Sequence, residues 1–181
     1  MTTPSIAKLG HVGIHVHDIE KEKAFYRDIV GLTVTDEDPG MGMVFMSARP
    51  EEEHHELLLC GGRNVDSDAK VVQQLSFRCN SLDDVIGYHK RFKEHGVKVD
   101  RMVTHGNAIS VYFYDPEGNR CDAYWNTGLK AKQPFGLKVD LDKPAAELMK
   151  DVEEAVRKYG KTGVVDRAAV SQHNLGTPPQ K

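Results

Sequence analysis

The order strand, helix, strand, strand, strand is written twice in this chain, and that repeat limits its architecture more than any other feature. The first copy opens with LGHVGIHV (9–16), where apolar and polar residues alternate as on a strand. DIEKEKAFYRDIVGL (18–32) then reads as a helix. Asp18 is its N-cap, Phe25, Ile29 and Val30 give it an apolar stripe, and Gly31 stops it. TVTDED, MVFMSA and HELLLC follow as short strands, parted by Pro39-Gly40 and by the acidic 50–53 loop. In the second copy QQLSFRC (73–79) is a strand, and SLDDVIGYHKRFKEHG (81–96) is a helix capped by Ser81 and ended by Gly96. VKVDRMV, ISVYFYD and RCDAYW come next as strands, with DPEGN (115–119) a turn between the last two.

The expected fold class is therefore α+β: two paired βαβββ modules, residues 7–62 and 71–128, with a C-terminal helical extension. The extension comprises a connector and an amphipathic helix within 129–160. Leu148, Val152, Ala155 and Val156 recur there at helical spacing, and Gly160 ends the run. That stripe is expected to pack back on the sheet or on a partner chain. Residues 161–181 read as a flexible tail.

Spacing relates the two copies more closely. His11 lies 15 residues before Tyr26, and Gln74 lies 15 before His89. His55 precedes Gly61 by six positions, as Asp122 precedes Gly128. Under a pseudo-twofold, His11 corresponds to Gln74 on the opening strands and His55 to Asp122 on the closing ones. Four polar side chains would then converge. Neighbours on a strand face opposite ways, so this reading turns His55 inward and His54 and Glu56 outward. A carboxylate at Asp122, between Cys121 and Ala123, is expensive to bury alone and calls for a metal or a cationic partner.

The charge balance narrows the function classes. A net charge of −3 with no cluster of Lys and Arg speaks against a nucleic-acid or membrane partner. The N-terminal stretch lacks an apolar core of signal-peptide length and no run of 18 apolar residues occurs, so a cytoplasmic location is expected. Cys60, Cys79 and Cys121 form no C-x-x-C pair and read as reduced thiols.

LGHVGIHVHDIEKEKAFYRDIVGL, HHELLLC and YFYDPEGNRCDAYW resemble the vicinal oxygen chelate superfamily, which includes glyoxalase I, fosfomycin and bleomycin resistance proteins and type I extradiol dioxygenases. The likeness is greatest to the small one-domain extradiol dioxygenases and continues into Gln133-Pro134-Phe135. It implies modules curled around a metal cleft, where two histidines and a glutamate hold Fe(II) while a catechol and O2 bind the open face. By motif, His11 matches the first ligand histidine; the second ligand histidine falls at Gln74 and the glutamate at Asp122. His55 matches the acid–base histidine, with His105 and Tyr112 as the residues that hold substrate or its oxyanion.

Two ligand positions depart from that pattern. Asp122 keeps the charge on a shorter arm, whereas Gln74 replaces an imidazole nitrogen with an amide oxygen, a donor suited to harder ions. Three functions follow as expectations. The first is an extradiol-type dioxygenase using Fe(II), with Mn(II), Ni(II) or Zn(II) as other ions, acting on a small aromatic with O2, as a homodimer. The second is a glyoxalase-like isomerase or lyase, with His55 as a fourth ligand rather than a base. The third is a metal-free binding protein of the bleomycin-resistance type.

Overall fold

The structure, a computed structural model, describes residues 7–67, 69 and 71–166. The chain divides into two units, Met1–Ala69 with Pro116–Gly118, and Lys70–Asp115 with Asn119–Lys181.

In the first unit, four strands form a sheet in the order β1-β4-β3-β2. They are β1 (Val12–His15), β2 (Thr33–Asp38), β3 (Met43–Ser47) and β4 (Leu57–Cys60). β1 runs parallel to β4, and β3 is antiparallel to both β4 and β2. Helix α1 (Ile19–Phe25) starts where the sequence places it, since Asp18 Oδ1 accepts from Lys21 N at 3.0 Å. It runs on as a π-helical turn, Tyr26–Val30, and stops at Gly31, whose φ of 89° is left-handed. Alternation along β4 buries Leu57 and Leu59 against Val44, Met46, Phe25 and Tyr26 on the core side.

The turn residues 116–118 belong to this first unit for a visible reason. The Glu117 carboxylate accepts from His17 N (2.6 Å) and Asp18 N (2.8 Å), just ahead of α1, and from Arg63 Nη1 (3.4 Å). Read from sequence, DPEGN is only a hairpin turn; its glutamate also pins the start of α1.

The second unit carries six strands in the order β10-β9-β6-β7-β8-β5. These are β5 (Leu75–Arg78), β6 (Val99–Thr104), β7 (Ala108–Tyr114), β8 (Arg120–Asn126), β9 (Phe135–Lys138) and β10 (Val164–Val165). β5 is parallel to β8, β7 lies antiparallel between β6 and β8, and β9 is antiparallel to β6. Helix α2 (Leu82–Glu94) has a full capping box: Ser81 Oγ accepts from Asp84 N, and Asp84 accepts from Ser81 N. Its Val85, Ile86 and Phe92 join Val111, Phe113 and Ala123 in the core.

The extension is more regular than its sequence suggests. Residues 135–138 of the expected connector form strand β9, and Val164–Val165 of the expected tail add β10; residues 167–181 lie outside the described residues. Helix α3 (Ala145–Tyr159) buries Leu148 and Val152, each 1% exposed, within its own unit. Each of those burials contributes about 1.5–3 kcal/mol. Among the described residues no helix is long and apolar enough to cross a membrane.

Candidate active site

Sheet register sets which side chains share a face. Counting from the first residue of each opening strand, Val12 pairs with Leu57 and Leu75 with Cys121. One step on, Leu58 and Asp122 occupy equivalent positions. One step back, Glu56 stands beside His11 and Arg120 beside Gln74. The antiparallel neighbours complete the comparison, since Phe45 pairs with Leu58 and Tyr112 with Asp122. The equivalence of His11 with Gln74 fits this register. That of His55 with Asp122 does not, because the two strands run on for different lengths: β4 continues two residues past Leu58 and Gly61 follows at once, while β8 continues four past Asp122 and Gly128 follows after one more residue. The position equivalent to Asp122 is Leu58.

In the first unit, the His11 and His55 rings lie tilted at 44° with centroids 4.2 Å apart, and Phe45 meets the His55 ring edge-on at 5.1 Å. His55 Nδ1 also lies 3.0 Å from His54 Nδ1. Burial pushes the His55 pKa below the ordinary imidazole value, and the neighbouring imidazoles of His11 and His54 add to that. His55 is half-buried and His54 exposed. Glu56 is turned elsewhere: its carboxylate accepts from Ala48 N (2.9 Å) and Arg49 Nη2 (2.7 Å).

In the second unit the equivalent positions carry a polar network centred on buried Arg120 and Asp122. Asp122 is 3% exposed, and desolvation raises its pKa to about 6 despite hydrogen bonds from Ser76 and Ser110 and the nearby charge of Arg120. Arg120 donates through Nη1 to Gln74 Oε1 (2.9 Å) and through Nε to Asp100 Oδ2 (3.2 Å). Its guanidinium lies 4.1 Å over the Tyr112 ring, and that of Arg101 lies 4.5 Å from the same ring. Gln74 turns its Nε2 to Ser76 Oγ at 2.9 Å and to Asp122 Oδ1 at 3.5 Å.

Tyr112 and His105 are coupled. His105 Nδ1 lies 2.8 Å from Phe135 O, which only accepts, so Nδ1 carries the proton and Nε2 is left to accept from Tyr112 Oη at 3.2 Å. Gln133 braces this pair from behind, donating to His105 O and accepting from Phe135 N. Burial lowers the His105 pKa and raises that of Tyr112, so at neutral pH the imidazole is neutral and the phenol protonated.

The donors differ in their fitness for a divalent ion. The exposed imidazole of His11 and the carboxylate of Asp122, whose buried charge a cation would relieve, are suitable ligands. Gln74 is not suitable as oriented, because its oxygen is taken by Arg120 and its amino group faces Asp122. Among the described residues no three His, Cys, Asp or Glu side chains gather into a metal-holding group. Arg120, Arg101 and Asp100 escape a reading from sequence. The spacing of Arg120 and Asp122, two apart on one strand and hence on one face, is the signal that could have found the first of them.

A family model for the Glyoxalase/Bleomycin resistance protein/Dioxygenase superfamily matches residues 8–122. The chain belongs to this superfamily. Over 139 residues it is 30% identical to a manganese-dependent 2,3-dihydroxybiphenyl 1,2-dioxygenase from Geobacillus genomosp. 3, covering 75% of this chain and 42% of that protein. It is 28% identical over 117 residues to biphenyl-2,3-diol 1,2-dioxygenase 3 of Rhodococcus globerulus, covering 62% and 60%. The chain thus spans only part of these superfamily relatives. Among solved structures, a lactoylglutathione lyase from Agrobacterium tumefaciens matches with a TM-score of 0.53 at 21% identity, covering 67% of this chain and 96% of that one. A fosfomycin resistance protein from Listeria monocytogenes matches with 0.55 at 22% identity, covering 68% and 94%. At such identities these two superfamily structures speak for the fold alone.

Proposed function

We propose that this chain is an extradiol-type, metal-dependent dioxygenase that opens the ring of a small catechol-like aromatic with O2. The observation that carries the reading is the Tyr112–His105 pair, with its tautomer fixed by Phe135 O, on the face that also carries Asp122. The relatives named as dioxygenases of ring diols support the same chemistry. In this reading the ion, Fe(II) first and Mn(II) second, takes Asp122 as its carboxylate, and the superfamily pattern assigns His11 as an imidazole ligand. When bound, the ion supplies acidification of the catechol hydroxyls and one-electron chemistry toward O2.

The protein's own residues supply proton handling and charge stabilisation. His55, neutral because burial lowers its pKa, accepts a hydroxyl proton from the substrate. Tyr112 has one hydroxyl proton, which His105 Nε2 accepts in the structure; in this reading substrate binding turns that hydroxyl, so that the phenol donates instead to the oxygen on which negative charge develops. The guanidinium groups of Arg101 and Arg120 over the Tyr112 ring favour negative charge at its hydroxyl end.

Anaerobic loading with Fe(II) or Mn(II), addition of a panel of substituted catechols and then of O2 tests this. Stoichiometric O2 uptake with a yellow ring-opened product is expected. Bound metal without product from any catechol refutes the assignment. The glyoxalase-like reading lacks a carboxylate at Leu58, where the first module would place its closing-strand ligand, and would have to use His55 instead. The metal-free binding reading draws support from Arg120, which already supplies a cation to Gln74 and Asp122. Elemental analysis after metal incubation separates it: no uptake at all would favour the binder.

A further inference from the structure

We propose that Gln74 is not a metal ligand but a positioning residue that clamps Asp122, committed to that role by Arg120. The inference rests on the metal-dependent reading and concerns which of this chain's groups reach the ion. β5 and β8 pair in parallel with Leu75 opposite Cys121, which brings Gln74 alongside Arg120, and Arg120 Nη1 donates to Gln74 Oε1 at 2.9 Å. The arginine has little freedom to let go. Its side chain is 0% exposed, its Nε is tied to Asp100, and its plane rests on the Tyr112 ring. Its Nη2 is buried without a hydrogen-bond partner, so releasing Gln74 would leave a second orphaned donor on a desolvated charge.

With Oε1 held, the amide presents only its amino group to Ser76 Oγ and Asp122 Oδ1. An amino group donates and cannot ligate a cation. Turning the amide over would set N–H against guanidinium N–H and oxygen against carboxylate, two repulsions in place of two attractions. Gln74 therefore orients Asp122 as outer partners orient metal ligands in general. Its position among the expected ligands is left to solvent or substrate.

The test uses the full chain with Mn(II) alone as probe, reading affinity by competition with a chelator and the number of exchangeable waters on the ion by water-proton relaxation. Gln74→Ala is expected to weaken Mn(II) binding by about 10–100-fold, the range for an outer partner, with an unchanged water number. Gln74→His is expected to tighten binding by about tenfold or more and to remove one water, since an imidazole is a better divalent-metal donor than a held amide. If Gln74 is instead a ligand, Gln74→Ala gains a water and Gln74→His changes none, which overturns the proposal. If the parent protein binds no Mn(II) but Gln74→His does, the metal-dependent reading falls and the clamp stands. If neither binds, both fall. Thermal melts report whether Gln74→His folds; where it does not, the water number of Gln74→Ala decides.

Discussion

The two modules share a ladder and differ in what they hang on it. Where the second carries Arg120, Tyr112 and Asp122, the first carries Glu56, Phe45 and Leu58. Glu56 makes its ion pair with Arg49, whose side chain is 52% exposed, so water screens most of the attraction. Arg120 is fully enclosed, and its charge is offset only by the groups it touches. One scaffold thus yields a solvated face with two accessible histidines and a network whose centre, Arg120 and Asp122, is buried. Copying the fold did not copy the chemistry.

Substituting equivalent positions sharpens that contrast. Arg120→Leu is expected to destabilise the protein by about 3–5 kcal/mol through stranded Asp100 and Gln74, and Glu56→Leu by less than about 1 kcal/mol. Paired urea titrations read both, and similar losses would mean that the two faces do not differ in how strongly they hold charge. Tyr112→Phe gives the second module the residue type of the first at Phe45. It should lower kcat about 100-fold or more by removing the donor to the developing oxyanion, while Phe45→Tyr should not add activity. Steady-state O2 uptake measures both.

Asp122→Asn should stabilise chelator-treated protein. The folded carboxyl titrates at about 6, raised from 3.8, so the unfolded chain releases this proton first and stability falls as pH rises between the two values. The gain is on the order of 2–3 kcal/mol above pH 6 and vanishes below pH 4, which denaturant midpoints at the two extremes will show. A gain that persists at low pH would mean the raised pKa is not its source. The smallest contrast lies within one module. His54→Ala should change stability by less than about 0.5 kcal/mol and move the acid limb of the pH–rate profile slightly upward, because one of the imidazoles that lower the His55 pKa is lost. His55→Ala should remove an acid limb lying below the ordinary histidine value, because burial lowers that pKa.

Much of the fold is legible locally. Asp18, Ser81, Gly31 and Gly96 mark helix ends through hydrogen bonds and left-handed turns that act within a few residues. β9 and β10 are not legible, because Phe135–Lys138 becomes a strand only by pairing with Val103 and Thr104, some thirty residues earlier. The candidate site divides in the same way. That Asp122 needs a cation follows from burying a carboxylate on an apolar strand; that Arg120 reaches Gln74 depends on the register between β5 and β8. Counting to the next glycine misplaced the counterpart of Asp122, since β8 runs two residues further past that position than β4 does.

The amino-acid order determined that two βαβββ modules form and which residue types each offers, because strand alternation, helix stripes and caps are short-range physics. Tertiary structure alone decided that Gln74 turns its oxygen to Arg120, that Tyr112 donates to His105, and that Leu58 stands where Asp122 has its counterpart. Those outcomes follow from pairing between distant strands, where a shift of one residue turns a side chain to the opposite face.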